Sequence, residues 1–127
     1  MNPDANLIAG WAGMLCGAVS GATLGLFFFD ESWLGGYGAW RRRMVRLGHI
    51  AFFGLGFLNI LYALSAHALG LQTGLAAPSA LLLAGAVLMP LVCFLSAFRP
   101  SFRRLFFLPV VSIFGGSALF LLKLLKT

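Results

Sequence analysis

Two histidines, His49 and His67, stand eighteen residues apart in one apolar stretch of this 127-residue chain. At 3.6 residues per turn that separation is five whole turns, so in a helix both rings share one azimuth near opposite ends. A neutral imidazole can ligate haem or a metal, contact a quinone, relay a proton or hydrogen-bond a lipid headgroup. These two are therefore the candidate cofactor-binding residues. A membrane haem takes axial ligands from facing helices, and the chain has no third histidine, so a bis-histidine site requires a second copy or another protein. Met14 or Met89 is the alternative axial ligand within the chain. Closed zinc sites need four clustered ligands, and none are grouped that way.

The remaining chemistry is sparse. Asp4, Asp30 and Glu31 are the only acidic residues, and all three fall at or outside the ends of the apolar runs. That disfavours proton-coupled transport, which uses carboxylates within the membrane. No Ser-His-Asp set, HExxH, phosphate-binding loop or CxxC occurs, so no catalytic residue is assigned.

The elements that must position the histidines follow from composition. The chain is 61% hydrophobic and 9% charged, with mean hydropathy +0.97, against about 45–50% apolar and about 25% charged in soluble domains. A hydrocarbon core of about 30 Å needs about 20 helical residues to cross it. Four runs qualify: 5–29, 47–69, 77–98 and 105–122. In lipid they must be helices, because an open strand leaves backbone polar groups unpaired. The expectation is an all-α integral membrane bundle of four transmembrane helices in a single domain, 1–127. With no Lys or Arg before Arg41, the first run lacks the basic lead of a secretory signal and is expected to be retained.

The connections set a polarity. Between the first two runs lie Asp30, Glu31, Trp33, Tyr37, Trp40 and the cluster Arg41, Arg42, Arg43 and Arg46, a headgroup-level mixture of charge and interfacial aromatics. The second connection, 70–76, carries no charge, whereas the third holds Arg99, Arg103 and Arg104. All seven arginines thus share one side, which the positive-inside rule makes cytoplasmic, with both termini opposite. Lys123 and Lys126 oppose that assignment and are outnumbered. Arg41, Arg42, Arg43, Arg46, Arg103 and Arg104 are candidates for binding anionic headgroups or a partner's acidic face. The basic residues are islands rather than a continuous face, which disfavours nucleic acid as a partner.

Gly13, Gly17, Gly21 and Gly25 recur at four-residue spacing through the first run. Such a ridge lets two helix backbones approach closely, on this chain's second helix, another copy or another subunit. Gly56 lies on nearly the same stripe of the second run as the histidines, and Asn59 sits 60–80° from that stripe at mid-depth. Asn59 must find a partner there; Tyr62, Ser96, Ser112 and Ser117 are the candidates. Pro90 and Pro109 are expected to bend their helices, and the short third connection makes those helices antiparallel neighbours. Cys16 and Cys93 differ in depth, so no disulfide is expected.

Three functions are open to such a chain. The first is a non-catalytic subunit that packs in the bilayer against other membrane subunits or copies of itself. The others are an electron-transfer subunit with haem or quinone at His49 or His67, and a small oligomeric channel or transporter lined by Asn59 and the serines.

Overall fold

The computed structural model describes residues 3–126. Four helices carry the fold: α1 (Asp4–Gly25), α2 (Trp40–Ala68), α3 (Ala76–Phe98) and α4 (Phe107–Leu124). The described residues contain no strand. Each helix, the last counted with the 3-10 segment Pro100–Phe106 that leads into it, is long and apolar enough to cross a membrane. The chain is a multi-pass membrane protein.

The boundaries differ from the apolar runs where side chains intervene. The first apolar run predicts helix to residue 29, yet α1 stops at Gly25 and residues 26–29 form turns. The carbonyls of Phe28, Asp30 and Glu31 are collected instead by the Arg42 guanidinium, at 3.4, 3.1 and 3.3 Å. Conversely, α2 begins at Trp40, seven residues before the apolar run, so the arginine cluster rides on the helix itself. At 29 residues it is about 43 Å long at 1.5 Å per residue, and its arginine end projects beyond the hydrocarbon. It ends at Ala68 and is closed by Gly70, whose φ of +61° admits the paired bonds from the Leu71 N–H to Ala66 (2.9 Å) and from the Gly70 N–H to His67 (3.0 Å).

Pro90 lies within α3, but Pro109 is the third residue of α4. In a first turn the missing N–H would be unpaired anyway, so Pro109 fits without interrupting α4. The residues preceding it, whose carbonyls its ring crowds, coil as the tighter 3-10 segment.

The helices pack in chain order, α1 on α2, α2 on α3 and α3 on α4, each antiparallel to the last. α1 touches α3 lightly and does not reach α4. α2 and α3 form the buried centre, while α1 and α4 keep most of their surface outward. Tyr62, Ala66, Leu75 and Leu82 make the core, with Leu58, Leu71 and Phe120 packed on it. Glycines set the closest approaches: Gly85 of α3 receives Ile113 of α4, and Gly48 of α2 receives the Phe94 ring of α3. Because dispersion contacts and hydrogen bonds hold membrane helices together, these flat places fix the neighbours.

Candidate functional site

The glycine ridge of α1 faces α2. A Cβ on Gly13 would sit 3.3 Å from the Phe52 carbonyl, one on Gly17 2.7 Å from the Phe53 ring, and one on Gly21 2.5 Å from Cε1 of His49. Gly10 extends the ridge the other way, where a Cβ would meet the Gly56 carbonyl at 2.7 Å. Gly56 in turn faces the Gly10 carbonyl and Met14. Gly25 lies past the seam, with nothing within 4 Å of a Cβ placed there.

Both histidines face α1. His49 is half-buried with Nδ1 3.0 Å from Ser20 Oγ. Ser20 Oγ also lies 3.0 Å from the Gly17 carbonyl, so the tautomer of His49 with its hydrogen on Nδ1 satisfies both contacts at once. Its ring also meets Phe53 edge to face at 5.4 Å. His67 is exposed at the other end, with Nε2 2.9 Å from the Asp4 carboxylate. The two rings are thus pinned to opposite ends of one helix pair.

Asn59 is held by a residue that its sequence neighbourhood does not suggest. Asn6, two residues into α1, donates through Nδ2 to Asn59 Oδ1 at 2.7 Å and to the Ser79 carbonyl at 3.3 Å. The Ser79 hydroxyl donates back to Asn6 Oδ1. Asn59 Nδ2 donates to the carbonyls of Leu55 at 2.9 Å and Leu82 at 3.4 Å. Asn6, Asn59 and Ser79 are all 0% exposed, so this closed polar knot ties α1, α2 and α3 together. The expected partners are engaged elsewhere or absent from it: Tyr62 donates to the Leu75 carbonyl at 2.8 Å, and Ser96 Oγ is buried without a partner. A signal for Asn6 did exist. It lies four residues before Gly10 on the ridge that faces α2, so any seam through Gly13 and Gly17 carries Asn6 toward that helix.

At the opposite end the start of α2, the end of α3 and the 3-10 segment gather the arginines. Arg41, Arg43, Arg99, Arg103 and Arg104 are exposed and Arg46 is half-buried. Arg42 differs from them at 2% exposure, with its guanidinium on three backbone carbonyls and within 5.7 Å of the Phe28, Trp33 and Tyr37 rings. It fastens the linker between α1 and α2. Arg46 lies 4.1 Å from the Tyr37 ring centre, and Trp40 Nε1 donates to the Ser96 carbonyl at 2.8 Å, anchoring α2 to α3. In the linker, Asp30 accepts from both the hydroxyl and the N–H of Ser32, at 2.7 and 2.9 Å, which holds its carboxyl below the usual value of 3.8.

A lateral groove of 430 Å³ opens between α1 and α3, floored by Phe52 and Gly56 of α2. A second hollow of 230 Å³, lined by Arg41, Val45 and Phe94 among others, continues toward the arginine end. Among the described residues no three His, Cys, Asp or Glu side chains converge as a metal site, and Cys16 and Cys93 are free thiols.

Fold and site together define a small multi-pass membrane protein of four helices. In comparisons with known proteins, no protein family, curated protein or solved structure matches the chain.

Proposed function

We propose that the chain is a non-catalytic subunit that packs within a larger membrane assembly, with the arginine-rich end cytoplasmic and both termini on the opposite side. The observation that carries this reading is the open row of helices. A self-contained four-helix bundle brings its first and last helices together, whereas here α1 and α4 do not meet and both present long apolar flanks. On α4, Val111 and Phe114 point outward, and on α1, Ile8, Trp11 and Leu15 do the same. Such flanks take further helices by the close packing that already joins each helix to the next in the chain.

The histidine geometry favours this reading over electron transfer. The Cε1 edge of His49 is wedged onto Gly21, and Nε2 of His67 is held by Asp4, so each ring serves the α1–α2 seam. Asn6, Asn59 and Ser79 are likewise closed on one another rather than arrayed along a path, which favours it over a channel.

The test is photo-crosslinking in native membranes from a benzophenone amino acid placed at Phe114, with Leu82 as the buried control. A discrete heavier band that recurs from Phe114 and not from Leu82, together with a native mass in mild detergent that exceeds the monomer by more than lipid, is the expected result. A chain that runs alone at 13.6 kDa plus lipid and gives no band from Phe114 overturns the proposal.

A further inference from the structure

The two hollows along the α2–α3 face meet at Phe94, whose ring rests against Gly48. On α2 their floor is one stripe. Arg41, Val45, Phe52 and Gly56 are spaced by four, seven and four residues, which keeps them within about 60° of one azimuth at 100° per residue. The stripe begins at an exposed guanidinium and then becomes wholly apolar.

Its length is informative. Val45 to Gly56 is about 16 Å along the helix axis, close to half of the about 30 Å hydrocarbon core. The two hollows, with the Phe94 ring as their shared wall over Gly48, together span from headgroup level to the middle of the bilayer, which is the reach of one acyl chain in one leaflet. A transmembrane helix is a poor match: 430 Å³ equals only about one turn of a cylinder about 10 Å across. An extended hydrocarbon chain enters such a groove lengthwise.

Charge complementarity identifies the head. Arg41 lines the upper hollow, with Arg43 exposed on the same turn of α2 and Arg99 exposed where α3 ends. All the acidic residues of the linker are on other business or face other groups: Asp30 is bonded to Ser32, and Glu31 lines a separate hollow beside Arg42. We infer that the groove is a binding site for one anionic glycerophospholipid, with its phosphate at Arg41 and one acyl chain lying past Val45 and Phe94 onto Gly56. The inference stands whether or not the chain belongs to a larger assembly.

Native mass spectrometry of the full chain in mild detergent, titrated with phosphatidylglycerol and with phosphatidylcholine of the same acyl chains, tests it. One phosphatidylglycerol per chain should bind in preference to phosphatidylcholine. Arg41→Gln should reduce that preference about fivefold, the factor for one arginine beside an anionic surface. Lys126→Gln, which removes the same charge from an exposed residue at the opposite end of the fold, should leave it unchanged. Ala86→Leu, which fills the groove, should remove the bound lipid of either kind while the helical circular dichroism is retained. Equal binding of the two lipids overturns the proposal, as does a preference that survives Arg41→Gln or that falls as far with Lys126→Gln. Bound lipid that persists in a folded Ala86→Leu protein does the same.

Discussion

Asn6 Nδ2 and Asn59 Oδ1 lie 2.7 Å apart with neither residue exposed, and this bond joins the start of α1 to the middle of α2. Each amide also holds α3, Asn6 through Ser79 and Asn59 through the Leu82 carbonyl. In lipid an unpaired amide has no water to fall back on, so the three helices are coupled through these two side chains.

Replacing Asn59 by Leu strands one donor of Asn6, and replacing Asn6 by Leu strands the Asn59 oxygen and the Ser79 hydroxyl. Each single change is expected to cost about 1–2 kcal/mol. The double variant should cost less than the sum, with about 0.5–1.5 kcal/mol of coupling. Reversible unfolding in mixed micelles, run as a double-mutant cycle, measures this. Strict additivity would show that the bond contributes nothing of its own.

The glycines of α1 should not respond alike to alanine. At Gly10 the new Cβ meets backbone, the Gly56 carbonyl at 2.7 Å, and the helices must part. At Gly17 and Gly21 it meets the Phe53 and His49 rings at 2.7 and 2.5 Å, side chains that can turn. Gly25→Ala meets nothing. The expected order of destabilisation is Gly10, then Gly17 and Gly21, then Gly13, with Gly25 neutral. Overpacking of this kind costs about 1–3 kcal/mol. A thermal-stability series in detergent checks the ranking, and a destabilised Gly25→Ala would contradict the seam.

Much of this architecture is legible in the sequence, because the bilayer removes alternatives. Runs of about 20 apolar residues have to become helices, so Ala76–Phe98 is found almost to the residue. Helix ends are less legible where a side chain competes for carbonyls. Nothing in the local pattern of residues 26–29 announces that Arg42, more than a dozen positions on, holds the Phe28 carbonyl. The same limit hid Asn6. Its role depends on which face of α1 meets α2, and that becomes visible only when the ridge is extended backward from Gly13 through Gly10. Arg42 and Arg43 are chemically identical neighbours, and a rotation of 100° along α2 puts one under the linker and the other outside.

Arg42→Lys should therefore loosen the linker, although the charge is kept. A lysine head cannot present the planar fork that reaches the carbonyls of Phe28, Asp30 and Glu31 at once. Loss of one charge-assisted bond at about 1.5–3 kcal/mol corresponds to faster amide exchange in residues 26–39 by about tenfold or more. Hydrogen-exchange mass spectrometry reads this directly. The same change at exposed Arg43 is the control and should leave exchange as it was.

The Asp30 carboxyl, lowered first by the Ser32 hydroxyl and then by the Ser32 N–H, makes the linker mildly acid-sensitive. A depressed folded value means that the stabilisation is present above the ordinary value of 3.8 and is lost as pH falls through the folded one. Ser32→Ala should raise the Asp30 value toward 3.8 without restoring it fully, since the N–H bond remains. A carbon-13 carboxyl titration in micelles checks it; an unmoved value would remove the hydroxyl from the account.

The proposed sidedness has its own test, because the arginines and the two C-terminal lysines compete. Arg41, Arg43, Arg99, Arg103 and Arg104 are exposed at one end. Lys123 at the other end packs its stem within 4 Å of a Cβ position at Gly74, so the tail lies beside the uncharged 70–75 turn rather than apart from it. Orientation is set by basic residues close to the spans, and the larger number are at the α2–α3 end. In a background with Cys16→Ala and Cys93→Ala, Thr73→Cys is expected to react with an impermeant maleimide on intact cells. Ser101→Cys should react only after permeabilisation. The reverse pattern would place the arginines outside, and equal labelling of both would mean that the chain inserts in two orientations.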